Sequence, residues 1–303
     1  MEIALMVEGQ NGLNWPRWQR IARAAEDLGF VGLYRSDHYT NASGPDLDSL
    51  ELWVSLTWLA SHTSRIEFGP IVSPVSFRHP TMTARMAAAV DDLSGGRLQL
   101  GLGAGWQVRE HTSYGWDLLD TKERFARFEE GLEVVTRLLH SDELVQFSGR
   151  YYTLQDALLL PRPQRPGGPP IVIGGNGPKL TLPLTARYAD EWNAVYVTPE
   201  RFAELNSQLD SLLQGQGRAP AEVRRSLMTG LIFGASASEV DAAAAAGGHT
   251  SEEARARGML VGSGQAIAEQ VAAYSAVGVQ RIMIQWMDLD DLDGIAALAQ
   301  ALL

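Results

Sequence analysis

Short apolar runs alternate with stretches of helical period along the whole chain. The first run is residues 3–7. In the segment after it, Trp18, Ile21, Ala22, Ala25 and Leu28 share one helix face. Asn14 suits the N-cap of that helix, Pro16 its first turn and Gly29 its end. Further apolar runs fall at 31–34, 66–72, 98–102, 171–173, 192–197, 227–233 and 281–285, with helical sequence between them. Asp120 and Glu123 form a capping pair for a long helix whose inner face is Phe125, Phe128, Leu132, Val135 and Leu139. A last helix turns Leu292, Ile295, Leu298 and Leu302 inward.

Strands that alternate with helices pair in parallel through right-handed crossovers. Eight such units in 303 residues predict a (β/α)8 TIM barrel, a single domain over residues 1–303. A nine-strand doubly wound sheet is the competing architecture. Two stretches exceed a minimal barrel. Residues 142–170 lie between units four and five and carry the hairpin-like Phe147-Ser148-Gly149-Arg150-Tyr151-Tyr152, then a proline-rich tail. They are expected to form an insertion and are a candidate lid. Residues 235–258 are alanine-rich and expected to be helical or mobile.

Composition narrows the function classes. The formal net charge of −11 argues against a nucleic-acid face and against adhesion to an anionic membrane. There is no cysteine, hence no disulfide, thiolate ligand or cysteine nucleophile, which fits a reducing cytoplasm. The segment Met1 to Gly9 is too short and too acidic for a signal peptide. No stretch approaches the roughly 18 apolar residues of a membrane span. Histidines 38, 62, 79, 111, 140 and 249 show no HxH or HExxH spacing, so no metal site is expected. The acidic run Asp288 to Gly294 places Leu292 where a calcium loop needs its fifth ligand; its acids suit the amino end of the last helix instead.

In a barrel, chemistry sits on the loops that leave the carboxyl ends of the strands. Those loops begin with Glu8, with Ser36-Asp37-His38, with Ser73-Pro74, with Gly103-Ala104-Gly105-Trp106, with Gly174-Gly175-Asn176-Gly177-Pro178-Lys179 and with Gln285-Trp286. The turn from Gly174 to Lys179 leaves a strand and opens a helix. It presents bare backbone N–H groups to an anion such as phosphate, or else it is only a tight strand–helix connection. Glycine at 101, 103 and 105 lets a flat ring approach the strand, or lets the barrel wall pack closely. Asp37-His38 is a candidate acid–base pair, with Glu8 as a second candidate, although a loop histidine tied to its own backbone is the blander reading.

Taken in order, these segments resemble the luciferase-like monooxygenase superfamily, in particular its coenzyme F420-dependent oxidoreductases. The resemblance is carried by Ala24 to Phe30, by Ser36-Asp37-His38, by Pro74 with Arg78-His79-Pro80, and by Asp92 to Arg97. It is carried most specifically by Leu100 to Trp106 with Glu110 and Gly115, and by Ile173 to Pro178 running on to Ala189-Asp190-Glu191-Trp192-Asn193. The resemblance implies a luciferase-like barrel with the insertion over its mouth, and F420 as cofactor, with FMN as the alternative. It implies a non-proline cis peptide near Pro70-Ile71-Val72 that supports the cofactor ring, placing Ile71, Val72 and Ser73 beside it. Gly175, Asn176 and Gly177 would hold the phosphate, Ala104, Gly105 and Trp106 would flank the ring or its tail, with Gly103, Gly174 and Pro178 also at the cofactor, and His38 would sit near the reacting carbon.

One departure matters. Some F420-linked sugar-phosphate dehydrogenases of this superfamily carry an acid directly after the third glycine of that block. Trp106 stands there in this chain, which makes a sugar phosphate a poor substrate and suggests a flat or apolar pocket. The expected activity is hydride transfer between F420 and a small organic molecule, with His38 as proton donor or acceptor, oriented by Asp37. An FMN-dependent two-component monooxygenase and a non-catalytic flavin carrier are the rivals. A homodimer is implied, and Trp53 and Trp58 are candidates for its interface. F420 also carries an acidic oligoglutamate tail, for which Arg150, Arg162, Arg165 and Lys179 are candidate partners.

Overall fold

The computed structural model describes all 303 residues. β1 (Glu2–Val7), α1 (Trp15–Leu28), β2 (Gly32–Arg35) and α2 (Leu52–His62) open the chain. β3 (Glu67–Pro70), β4 (Ser73–Pro74), α3 (Pro80–Ser94), β5 (Leu100–Gly103), α4 (Val108–Tyr114) and α5 (Thr121–His140) follow. β6 (Val145–Ser148) and β7 (Thr153–Ala157) precede β8 (Ile171–Gly174), α6 (Thr181–Tyr188), β9 (Glu191–Val195) and α7 (Pro199–Gly215). The last part holds β10 (Arg224–Phe233), α8 (Ala237–Ala246), α9 (Ser251–Ala256), β11 (Leu260–Gly262), α10 (Gly264–Ala276), β12 (Arg281–Trp286) and α11 (Leu292–Leu302).

The main sheet is parallel, in the order β3-β2-β1-β12-β10-β9-β8-β5-β4. β3 and β4 are two halves of one stave, divided at the cis peptide Ile71–Val72. That stave closes the barrel against β5. Below the break the Gln99 N–H donates to the Phe68 carbonyl at 2.8 Å; above it the Val75 N–H donates to the Gly103 carbonyl at 3.0 Å. Eight staves result, so the expected barrel is the fold and the open doubly wound sheet is not. A large apolar cluster fills the layer between staves and helices. A small one, with Met6, Tyr34, Val172 and Met283, fills the inside of the barrel.

At the closure the two staves touch backbone to backbone. A Cβ at Gly69 or Gly101 would land on the carbonyl oxygen of Gln99 or Pro70, and one at Gly103 would lie 2.5 Å from Val72 Cγ2. The alternation of Gly101 and Gly103 is therefore a demand of the barrel wall, and the reading of Gly103 as a cofactor contact gives way to packing. Only Gly105, at φ 85°, turns the chain toward the mouth.

The far end of the barrel is plugged by charge. Arg281, fully buried, donates to Tyr34 Oη at 2.7 Å and pairs with Glu2, Glu67 and Glu191, three acids that begin their strands. The near end is the open mouth.

The insertion lies elsewhere than expected. β6 and β7 form an antiparallel hairpin. The Glu130 carboxylate on α5 gathers its turn by accepting from the N–H groups of Arg150, Tyr151 and Tyr152 at 2.8, 2.8 and 3.2 Å. The tail is then tied down by Arg162, which donates to the Leu138 and Leu139 carbonyls at 2.8 and 2.7 Å. Residues 142–170 thus run down the outer wall against α5. None of them lines the cavity at the mouth, so they are a brace and not a lid. The stretch 235–258 is helical, as α8 and α9, and covers the pair that β11 forms with the end of β10. Trp53 is buried in the core of the single chain.

Gly101→Ala is expected to destabilise the protein by about 3 kcal/mol, since the new methyl meets a backbone oxygen that cannot rotate away. Gly215→Ala, at a helix end with open space around it, is expected to change stability by no more than about 0.5 kcal/mol. Urea unfolding of both variants checks the contrast.

Candidate active site

A cavity of about 420 Å³ opens at the carboxyl ends of the staves. Ile71, Val72 and Met228 form an apolar floor, and Glu8, His38, Trp106, Tyr196 and Gln285 stand around it. No lysine or arginine lines it.

His38 rides on the loop after β2, and buried groups fix that loop. Arg35 donates to the Ser36 and Leu50 carbonyls and to Ser55 Oγ at 3.1, 2.7 and 2.7 Å. α4 is held against the same loop by Gln107, whose Nε2 donates to the Thr40 carbonyl at 2.7 Å. The fully buried Glu110 on α4 then meets the loop with both oxygens. One lies 2.9 Å from His38 Nδ1, and the other accepts from the Tyr39 N–H at 3.1 Å. A carboxylate at Nδ1 sets the tautomer that carries its proton there, so Nε2, which has no partner in the chain, is left for the cavity. Burial disfavours the imidazolium, but the hydrogen bond and charge of Glu110 outweigh it, and the pKa of His38 is raised above its ordinary value. The indole of Trp106 packs against the ring edge to face, with centroids 5.5 Å apart.

Asp37 does not orient His38. Its carboxylate is turned away and latched by Arg78, and it accepts from Ser73 Oγ at 2.7 Å. The pair ties the His38 loop to the third stave. Burial is the main reason the pKa of Asp37 is raised, against the opposing charge of Arg78. Ser73 is likewise spent on this latch beneath the cavity.

The glycine-rich turn is held by β9. The Gly175 N–H donates to the Asn193 carbonyl and the Gly175 carbonyl accepts from Trp192 Nε1, both at 2.9 Å. The side chain of Asn176 bridges the backbone of Val195, donating to its carbonyl at 2.6 Å and accepting from its N–H at 2.9 Å. The N–H groups of Asn176, Gly177 and Lys179 keep no acceptor within the chain, and α6 begins just beyond them. The turn therefore leaves these donors to its surroundings. Its open donors are backbone, while the Asn176 side chain is used to hold the turn and is not free for a ligand.

Of the residues singled out in the sequence, Glu8, His38, Ile71, Val72, Gly105, Trp106, Gly174 and Gly175 line the cavity. Asn176, Gly177 and Pro178 lie on the rim, and Ala104 is buried beside Gly105. Tyr196 and Asn193 were not anticipated. Tyr196 sits just past β9 in a left-handed conformation, φ 49°, and its hydroxyl donates to Gln285 Oε1. Gln285 Nε2 donates in turn to Glu8, whose other oxygen accepts from Gln10 Nε2 at 2.9 Å. Burial, with a smaller contribution from Glu8, pushes the Tyr196 hydroxyl up to about 12, so it stays protonated. Asn193 is fully buried, and its Oδ1 has no partner in the chain. The sequence signal for both residues was their place at the carboxyl end of a stave, masked by the apolar run they belong to.

The family model described as luciferase-like monooxygenase matches residues 2–251. The chain is 32% identical over 216 residues to an F420-dependent glucose-6-phosphate dehydrogenase from Kineococcus radiotolerans, covering 69% of this chain and 61% of that one. It is 33% identical over 177 residues to a 4-hydroxyprotoasukamycin monooxygenase from Streptomyces nodosus subsp. asukaensis, covering 58% and 46%. The matched stretches thus span about half to three fifths of these relatives. An F420-dependent secondary alcohol dehydrogenase, solved with an F420-acetone adduct, superposes with a TM-score of 0.84 at 16% identity over 99% of this chain and 98% of that one, a likeness of fold. A barrel with a glycine turn pinned by its neighbouring stave, and a family model matching most of the chain, place this protein in the luciferase-like monooxygenase family.

Proposed function

We propose that the protein is an F420-dependent oxidoreductase acting on a small neutral alcohol or carbonyl compound at the barrel mouth. The observation that carries this is the rim turn: three open backbone donors at a helix start, beside a cavity with an apolar floor and a carboxylate-held histidine. The residues present fit such a cofactor. Asn176, Gly177 and Lys179 would hold its phosphate through their N–H groups. Ile71 and Val72 would lie under its ring, and Asn193 Oδ1 would accept from a donor on it. Bound F420 supplies a ring carbon that gives or takes a hydride, where FMN has a nitrogen and readily activates oxygen.

The chain moves the proton. His38 Nε2 faces the space where the substrate oxygen would stand; in reduction it donates, and in oxidation it accepts. Glu110 fixes the ring and balances the imidazolium. Glu8, held by Gln10 and Gln285, makes the opposite wall anionic. With no lysine or arginine in the cavity, a phosphorylated substrate such as that named for the Kineococcus relative has only His38, already paired with Glu110, to meet its charge.

Titration of the purified protein with F420 and with FMN, followed by fluorescence and absorbance, is expected to show saturable F420 binding and weaker FMN binding. A preference for FMN would overturn the reading in favour of a two-component monooxygenase. His38→Ala is expected to bind F420 as the wild type does and to lose about 10²- to 10⁴-fold in turnover. Undiminished turnover would remove His38 from the reaction. In the reducing direction protonated His38 is the competent form, so the rate falls as pH rises through its raised pKa. Glu110→Gln withdraws the charge that raises it, and the fall is expected at a pH lower by about 1, read from kcat/KM against pH.

A further inference from the structure

Of the 25 lysines and arginines in the chain only two are lysines, Lys122 and Lys179, and both line one groove of about 630 Å³ on the outer wall between α5 and α6. Phe125, Leu180 and Pro183 contribute apolar surface to it. The acids near it are already committed. Glu129 pairs with Arg187 at 2.8 Å, Glu123 pairs with Arg150, and Asp120 caps α5 by accepting from the Glu123 N–H at 2.9 Å. The two exposed ammonium groups are left without a carboxylate. Of the other cations suggested by the sequence, Arg162 is paired with Asp142 at 2.9 Å and Arg165 with Asp91 at 3.0 Å, each in a fixed structural contact.

The groove takes part of its lining from the end of the rim turn. Gly174 and Gly175 line the central cavity, while Lys179 and Leu180, at the other end of the same turn, line the groove. The open N–H groups lie between. A ligand with its ring in the cavity and its phosphate on the turn would present whatever follows the phosphate at the head of this groove. In a chain of net charge −11, an acidic extension needs a local positive site there. Lysine suits a mobile string of carboxylates, because a point charge on a flexible stem follows it where the planar arginine fork would hold one geometry.

We propose that this groove holds the acidic oligoglutamyl tail of the cofactor, with Lys122 and Lys179 pairing with its carboxylates. The proposal rests on the F420 reading above. Such pairs are exposed and individually weak, so the site adjusts affinity and does not create it.

The test is fluorescence titration of the full-length protein with F420 bearing several glutamates and with the form that ends before the first glutamate. Wild type is expected to bind the tailed form about three- to tenfold more tightly at low salt, and high salt is expected to remove the difference. Lys122→Gln is expected to reduce the gain, and Lys122→Gln with Lys179→Gln to abolish it. Both side chains are exposed, so folding is not at stake. Equal affinity for the two forms in wild type, or a gain that survives in the double variant, overturns the groove site and leaves the F420 reading standing. Absence of binding to either form overturns both.

Discussion

The site depends on β9 holding the turn that follows β8. Four hydrogen bonds join them: Trp192 and Asn193 each make one to Gly175, and Val195 makes two with the Asn176 side chain. A glycine-rich loop that satisfied its own amides would close on itself. This one is anchored through one carbonyl, one amide and one side chain, so its remaining N–H groups point to no partner in the chain. Backbone donors left open at the start of a helix are unfavourable in a dry core and tolerable at a rim where an anion or water answers them. The order of the turn and its unpaired N–H groups thus have one cause.

That coupling explains which parts of the site were legible in the sequence. The strand–helix alternation was plain because each stave is a continuous apolar run and each helix has a clean inner face. The segments Gly174 to Pro178 and Ala189 to Asn193 carried the resemblance together because they are two sides of one hydrogen-bonded unit. What sequence order hid was lateral. His38 follows Asp37 directly, so proximity along the chain favoured Asp37 as its partner. Consecutive residues on an extended loop point opposite ways, however, and Asp37 went to Arg78 while Glu110, far along the chain, reached His38. The insertion was misplaced for a similar reason. Its hairpin was readable, but the three N–H groups bound by Glu130, which hold it to the flank, are a tertiary contact with no periodic signature.

Both ends of the barrel carry perturbed ionisable groups, and topology separates their meanings. At the bottom, Arg281 is ringed by Glu2, Glu67, Glu191 and Tyr34, and the pKa of Glu191 is raised chiefly by burial. A charge cluster of this kind, with one arginine shared by three strand-end acids, fixes strand ends in register. At the mouth, His38 keeps one nitrogen free, Asn193 keeps one oxygen free, and a cavity meets both. A shifted pKa accompanies each cluster; at the bottom it belongs to packed ion pairs, and at the mouth it faces a cavity.

The glycines between Gly101 and Gly105 show how one motif serves two ends. Gly101 and Gly103 exist because the third stave presses its backbone and Val72 against them, and Val72 is also the floor of the cavity. Gly105 then turns the chain so that Trp106 meets His38 edge to face. A larger residue at Gly103 would press on Val72 in the cavity floor, and one at Gly101 would press on the Pro70 carbonyl just before it. Barrel closure and pocket shape are therefore one constraint, set where the third and fourth staves meet, and the chemistry of the mouth inherits its dimensions from that seam.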